Sequence, residues 1–304
     1  IIKDNFGNWV EGATISCNSK SAKTNLYGEA TLLIEKGTFD YMISGQYHFN
    51  YLGVVNVGTS ASTVQVVLKF NPEPLRPYEN GNIQMLIVGN ECKIRIIASS
   101  GTTDHNINWG DGNITNAISW DSDYTHTYKD NGIHQIEIEN CIKVTYCNTQ
   151  KDNLVSYWSV GNSKVNNLKF ESFTKLTSIG LIFKNDVNRT SFKSCFRYCT
   201  NLFFIPSGLF DNCPEVLDFS ACFSRCTNLI SIPLDLFNNC LNVKYFDDSS
   251  QEDGCFYSCS KVEILPELWK LYFGKEVVSN KCFLDCTNAS NWQEVPASWG
   301  GQGP

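Results

Sequence analysis

Only four histidines occur in this chain, His48, His105, His126 and His134, so everything after residue 134 lacks an imidazole for metal binding or proton transfer. No stretch approaches the roughly 20 consecutive apolar residues that would cross a bilayer, which argues against membrane insertion by this segment. Lysine and arginine are outnumbered, 24 against 31 acidic residues, and form no run; with a net charge of −7, a sequence-independent grip on nucleic acid is disfavoured. No nucleophile elbow, phosphate-binding loop, dinucleotide fingerprint or zincin motif is present. These absences argue against an enzyme and imply no cofactor. The chain opens on Ile1 without an initiating Met or the charged, apolar and small-residue order of a signal peptide, so we expect a processed product or a piece of something longer.

Cysteine, in contrast, is abundant, with 14 residues, and most of it is periodic. The segment Cys195-Phe196-Arg197-Tyr198-Cys199-Thr200-Asn201-Leu202 returns after 27 residues as Cys222-Phe223-Ser224-Arg225-Cys226-Thr227-Asn228-Leu229. It returns again at Cys255-Phe256-Tyr257-Ser258-Cys259 and at Cys282-Phe283-Leu284-Asp285-Cys286. A degenerate copy precedes them at Phe173-Thr174-Lys175-Leu176-Thr177-Ser178-Ile179. Such a period marks units that cannot bury their own apolar face without neighbours. Within a unit, Phe223, Cys226, Leu229 and Ile232 recur at spacings of three, as do Phe237, Cys240, Val243 and Phe246, so both flanks are expected to point a Phe and a Cys inward. Leu-x-x-Ile-Pro reads as the strand of each coil and Phe-x-x-Cys as a helical turn or corner.

The cysteines invite a zinc or disulfide reading, yet successive pairs lie a full coil apart, whereas structural zinc sites bring two close pairs together. Phe173 stands where later units have Cys199 and Cys226, and an apolar substitute suits a packing slot better than a ligand. Packing is therefore the expected role, with disulfides between neighbouring coils and a metal as the alternatives.

Residues 1–70 read as strands between turn signals, and 71–82 as a linker containing Pro72, Pro74 and Pro77. Residues 83–147 read again as strands, carrying Asn108-Trp109-Gly110-Asp111-Gly112 and Tyr124-Thr125-His126-Thr127-Tyr128. Asp111 is expected to be a turn carboxylate that accepts backbone N–H groups. The acidic insertion holding Asp247, Asp248, Glu252 and Asp253 fits no defined calcium loop and is expected to be solvated.

Three resemblances follow from these motifs. The pieces around Gly7-Asn8-Trp9-Val10, Asn25-Leu26-Tyr27-Gly28 and Lys36-Gly37-Thr38-Phe39 resemble carboxypeptidase regulatory-like modules of Ig type. The Trp-Gly-Asp-Gly and His-Thr-Tyr elements resemble a PKD module. The Cys-Phe-x-x-Cys units, over roughly 165–296, resemble the BspA-like leucine-rich repeats of bacterial surface proteins. The fold these imply is multidomain: two small all-β Ig-like sandwiches at 1–70 and 83–147, then a leucine-rich repeat solenoid of about 27-residue repeats at 148–304.

The positions between the apolar anchors of each repeat, Phe203-Phe204, Ile230-Ser231 and Glu263-Ile264, vary while the framework stays fixed, as on a recognition surface. Tyr157, Trp158, Trp269, Tyr272, Trp292 and Trp299 are further candidates for stacking on sugars or anchoring a protein. The resemblances imply a non-enzymatic extracellular adhesion protein on a bacterial cell surface, binding a protein or glycan of a host or neighbouring cell. The alternatives are a phage virion appendage, assembled with other virion subunits, and the accessory region of a secreted polysaccharide hydrolase.

Overall fold

A computed structural model describes residues 1–4, 10, 12–25, 27–44, 51–59, 63–68, 83–97, 105–117, 122–138, 143–146, 153–159, 169–180, 183, 187–247 and 253–303. The expected linker at 71–82, His48, Asp248, Glu252 and the side chains of His105 and Trp158 lie outside the described residues. The chain forms two compact units, Ile1–Leu75 with Lys129–Ile133, and Arg76–Tyr128 with His134–Pro304.

In the first unit, β1 (Ile2–Asp4) pairs in parallel with β6 (Val66–Leu68). A four-stranded antiparallel sheet joins β2 (Thr14–Cys17), β3 (Lys20–Lys23), β4 (Gly37–Ser44) and β5 (Tyr51–Val57) in the order β3-β2-β4-β5. Its core is small: Ile2, Val10, Ala13, Cys17, Tyr41, Ile43 and Val66. Buried Thr24 closes it by donating its hydroxyl to the Val10 carbonyl at 2.6 Å and accepting the Ala13 N–H at 2.9 Å.

The second unit begins with β7 (Ile83–Val88), whose six residues are all buried, as a central strand requires. With β9 (His105–Asn108), β10 (Ile114–Ala117), β12 (Ile133–Ile138), β14 (Leu154–Ser159) and β15 (Ser178–Ile179) it forms a six-stranded sheet in the order β10-β9-β12-β7-β14-β15. A three-stranded sheet holds β8 (Glu91–Ile97) between β11 (Ser122–Thr127) and β13 (Lys143–Tyr146). β15 joins β14 in parallel, with Ser156 opposite Ser178 and their hydroxyls 2.7 Å apart. The first residues of the repeat region thereby extend the sheet, and one hydrophobic core runs from Ile83 and Trp109 through Phe170 to Trp299.

This arrangement overturns the expected fold class. Among the described residues the architecture is a set of several sheets with almost no helix, and the part read as a leucine-rich repeat solenoid lacks the strand of such a coil. Among the described residues no strand follows β15, and Leu-x-x-Ile-Pro supplies single-residue bridges such as Phe204 to Ser231 instead. Beyond β15, among the described residues, the helical ones are α1 (Leu268–Leu271) and two 3-10 turns at Trp292–Glu294 and Ala297–Trp299. The physical reason lies in the spacing of three. Cys199 N–H donates to Phe196 at 3.1 Å and Leu202 N–H to Cys199 at 3.0 Å; Cys226 and Leu229 repeat this on Phe223 and Cys226 at 3.2 and 3.0 Å. The Cys and Leu of each Phe-x-x-Cys-x-x-Leu run thus close tight turns on the residue three before, and a chain turning this often leaves only single backbone bonds to the next coil, such as Phe196 N–H to Cys222 at 2.8 Å, instead of an extended ladder. The third residue of each Phe-to-Cys turn is left-handed: Tyr198, Arg225, Ser258 and Asp285, with φ from 56° to 64°.

Side chains reinforce the backbone bonds that join successive repeats. Phe170, Phe196, Phe223, Phe256 and Phe283 stack with ring planes within 6° of parallel and centroids 5.1–5.7 Å apart, the offset geometry that aromatic quadrupoles favour. Cys199 Sγ donates to the Phe170 carbonyl at 3.1 Å, Cys226 to Phe196 at 3.2 Å, Cys259 to Phe223 at 3.2 Å and Cys286 to Phe256 at 3.1 Å. The Cys-Phe-x-x-Cys motif therefore couples a stacking ring to a thiol that caps the previous ring's carbonyl. Phe173 makes the same turn on Phe170 as Cys199 on Phe196, both at 3.1 Å, and fills the slot expected from its place in the degenerate copy.

Candidate functional site

Each repeat has two consecutive residues held between buried anchors: Leu202 and Ile205, Leu229 and Ile232, Val262 and Leu265. With both flanks fixed inward, the pair between them is turned outward. Those pairs are Phe203-Phe204, Ile230-Ser231 and Glu263-Ile264. Their backbones are linked in one row, since Phe203 N–H donates to Thr177 at 3.3 Å, Ile230 to Phe203 at 3.1 Å, Glu263 to Ile230 at 3.1 Å and Ser290 to Glu263 at 2.9 Å. Six residues chosen from sequence are thus brought side by side on a single face.

Ile230 is 40% exposed and Ile264 45% exposed; Ser231 and Glu263 are exposed, while Phe203 and Phe204 are half-buried with rings edge to face at 5.3 Å. Leu234, 61% exposed, follows Pro233, three residues beyond Ser231, and went unnoticed in the sequence. A rim of amides fixes the row: Asn201 Nδ2 donates to the Thr174 carbonyl at 2.6 Å, Asn228 Nδ2 to Thr200 at 2.8 Å, and Lys261 Nζ to Asn228 Oδ1 at 2.6 Å. The chemistry offered is aliphatic and aromatic surface with one carboxylate, Glu263.

The other aromatic candidates fall differently. Tyr157, Tyr272, Trp292 and Trp299 are core residues, and Trp269 packs half-buried against the core. Among the described residues the most exposed aromatic is Phe273, at 88%, which the sequence reading passed over. Its signal was present: Leu268 and Tyr272, four apart, face inward from α1 and its end, leaving the next residue outward.

The Trp-Gly-Asp-Gly turn is a clasp. Asp111 accepts the Asn113 N–H at 3.1 Å, as expected for a turn carboxylate, and also lies 2.8 Å from His126 Nε2. Desolvation works against the charged carboxylate, but the hydrogen bonds from His126 and Asn113 prevail and hold its pKa down at about 2. His126 is stacked on Trp109 at 4.9 Å and meets the edge of Tyr128 at 4.6 Å, while the Tyr128 hydroxyl donates to the Trp109 carbonyl at 3.0 Å. Each of these groups is engaged in holding the turn on the sheet.

The acidic insertion departs from its solvated reading. Asp247 and Asp253 are 3% and 1% exposed. Asp253 Oδ2 accepts Arg197 Nε at 2.9 Å and is also bonded by Arg197 Nη2, while Oδ1 faces Arg225 Nη2 at 3.4 Å. Arg225 in turn lies over Tyr198 at 5.4 Å and Tyr257 at 5.0 Å, a cation–π column running across the repeats. The insertion returns a carboxylate to two arginines of earlier repeats and ties three repeats together.

The twelve described cysteines form no disulfide and are buried. Desolvation drives up the thiols of Cys222, Cys226, Cys255, Cys259 and Cys282, that of Cys195 to about 11 despite nearby Arg189 and that of Cys286 to about 12, so these are protonated at neutral pH and poor nucleophiles. Among the described residues no three His, Cys, Asp or Glu side chains gather as a metal site, and no helix is long and apolar enough to cross a membrane. Compared with known families and with curated proteins, the chain matches no family model and no curated protein.

Proposed function

We propose that this chain is a non-enzymatic extracellular binding protein whose repeat region presents Phe203, Phe204, Ile230, Ser231, Glu263 and Ile264 as a recognition row, on a bacterial cell surface. The observation that supports this reading is the backbone row from Thr177 to Ser290, which aligns the outward pairs of successive repeats. A fixed framework carrying exchangeable outward side chains is how a repeated surface acquires specificity. The exposed aliphatic residues Ile230, Leu234 and Ile264 favour a protein partner over a glycan, because sugar platforms need open aromatic ring faces and the Phe203-Phe204 rings are half-buried and set edge to face.

The test is a binding screen of the full chain against protein and glycan arrays, with I230E/I264E as the matched control. Binding to a protein that the double variant loses, with unchanged circular dichroism, supports the proposal. Binding unaffected by the variant, or none on either array, contradicts it.

A further inference from the structure

Two columns of buried thiols, one running from Cys195 to Cys282 and the other from Cys199 to Cys286, take no part in the recognition row. Each second-column thiol spends its proton on a phenylalanine carbonyl of the preceding repeat, at 3.1–3.2 Å in all four cases. A disulfide sulfur has no proton to give and must aim at its partner sulfur instead of the carbonyl, with an S–S bond of about 2.0 Å. The native core is thus built for the reduced state. In the unfolded chain the same cysteines are exposed, and pairs four residues apart, such as Cys195 and Cys199, close into a loop at little entropic cost.

We propose that folding of the repeat region is gated by thiol redox state: the chain reaches its native packing only with these cysteines reduced, and the native packing then withholds them from oxidants. The competing reaction is exchange with a small disulfide such as oxidised glutathione. One cysteine thiolate attacks a glutathione sulfur and releases one glutathione thiol; a second cysteine then attacks the mixed disulfide and releases the other. Two cysteine S–H bonds and one glutathione S–S bond are lost, one protein S–S bond forms, and the two protons end on the two glutathione thiols. In the native protein the first step is blocked, because the thiols are both inaccessible and held protonated by burial.

The experiment unfolds the full chain in urea with dithiothreitol, removes the reductant, and dilutes it into buffer containing either dithiothreitol or oxidised glutathione. Near-ultraviolet circular dichroism and disulfide mapping by mass are the readouts. Recovery of the native spectrum in dithiothreitol, its loss in oxidised glutathione with bridges among residues 195–286, and rescue on adding dithiothreitol are the expected results. A chain that regains the native spectrum with those bridges present overturns the proposal, as does a trapped chain whose bridges all lie outside 195–286. Native protein placed directly in oxidised glutathione is expected to form no bridge in that segment, and bridge formation there without change of spectrum also overturns it.

Discussion

The strands of 83–159 and the repeats of 169–303 share one core yet satisfy their backbones differently. In the sheets, neighbouring strands supply the partners, so side chains need only alternate: β11 runs Ser122–Thr127 with every second residue half-buried. In the repeats, single backbone bonds to the next coil, such as Phe196 N–H to Cys222 at 2.8 Å, alternate with tight turns and side-chain donors, so particular side chains are required at particular places. Cysteine thiols cap carbonyls and asparagine amides span from one repeat to the next. A sheet tolerates any apolar residue of suitable size on its inner face, whereas a turn-built core also specifies the donor.

Predictions that sharpen this contrast begin with the largest. Phe223 stacks between Phe196 and Phe256 at 5.1 and 5.4 Å, and Phe223→Ala is expected to cost about 3–5 kcal/mol in urea denaturation. A loss below about 1 kcal/mol would mean that the ring column does not organise the repeats. Asp253→Ala is expected to cost about 2–3 kcal/mol, since it removes the buried carboxylate that two arginines, only 20% and 38% exposed, share, leaving Arg197 with Glu171 at 3.8 Å. An unchanged denaturation midpoint would return the insertion to the surface.

In the sheet region, the clasp at Asp111 predicts a pH dependence. Its carboxyl has a lower pKa folded than the ordinary 3.8, so its stabilisation is complete above about pH 4 and is lost as the pH falls toward 2. The amount is about 1–2 kcal/mol, reduced by the carboxylate's 28% exposure. Asp111→Asn should remove that component of the acid transition, and a transition identical in the variant would contradict the assignment. The smallest expected effect is on the recognition row: Ile230→Glu should change stability by no more than about 0.5 kcal/mol while weakening binding.

Different parts of this contrast were legible in the sequence to different degrees. The period, the inward Phe and Cys, and the outward pairs were all readable, because burial repeats whenever residues do. The conformation that carries them was not, for a spacing of three fits a strand corner, a 3-10 turn and a chain of tight turns alike. The left-handed positions are occupied by Tyr198, Arg225, Ser258 and Asp285 instead of glycine or asparagine, so no residue type announced them. Asp253 looked solvated because its partner Arg197 lies 56 residues away, beyond any local pattern. Tyr157 and Trp299 were counted as surface candidates because aromatics suit cores and interfaces equally. Trp109-Gly110-Asp111-Gly112, by comparison, is a local device whose hydrogen bonds run mostly to near neighbours, and its turn was readable.

The most direct test of the turn-built core is thiol alkylation resolved by peptide. Native full-length chain treated with iodoacetamide at neutral pH should leave the cysteines from Cys195 to Cys286 unmodified, and the same chain in urea with reductant should modify all of them. Rapid labelling of Cys199, Cys226, Cys259 or Cys286 in the native protein would contradict the account, because those sulfurs could not then be buried donors to the phenylalanine carbonyls.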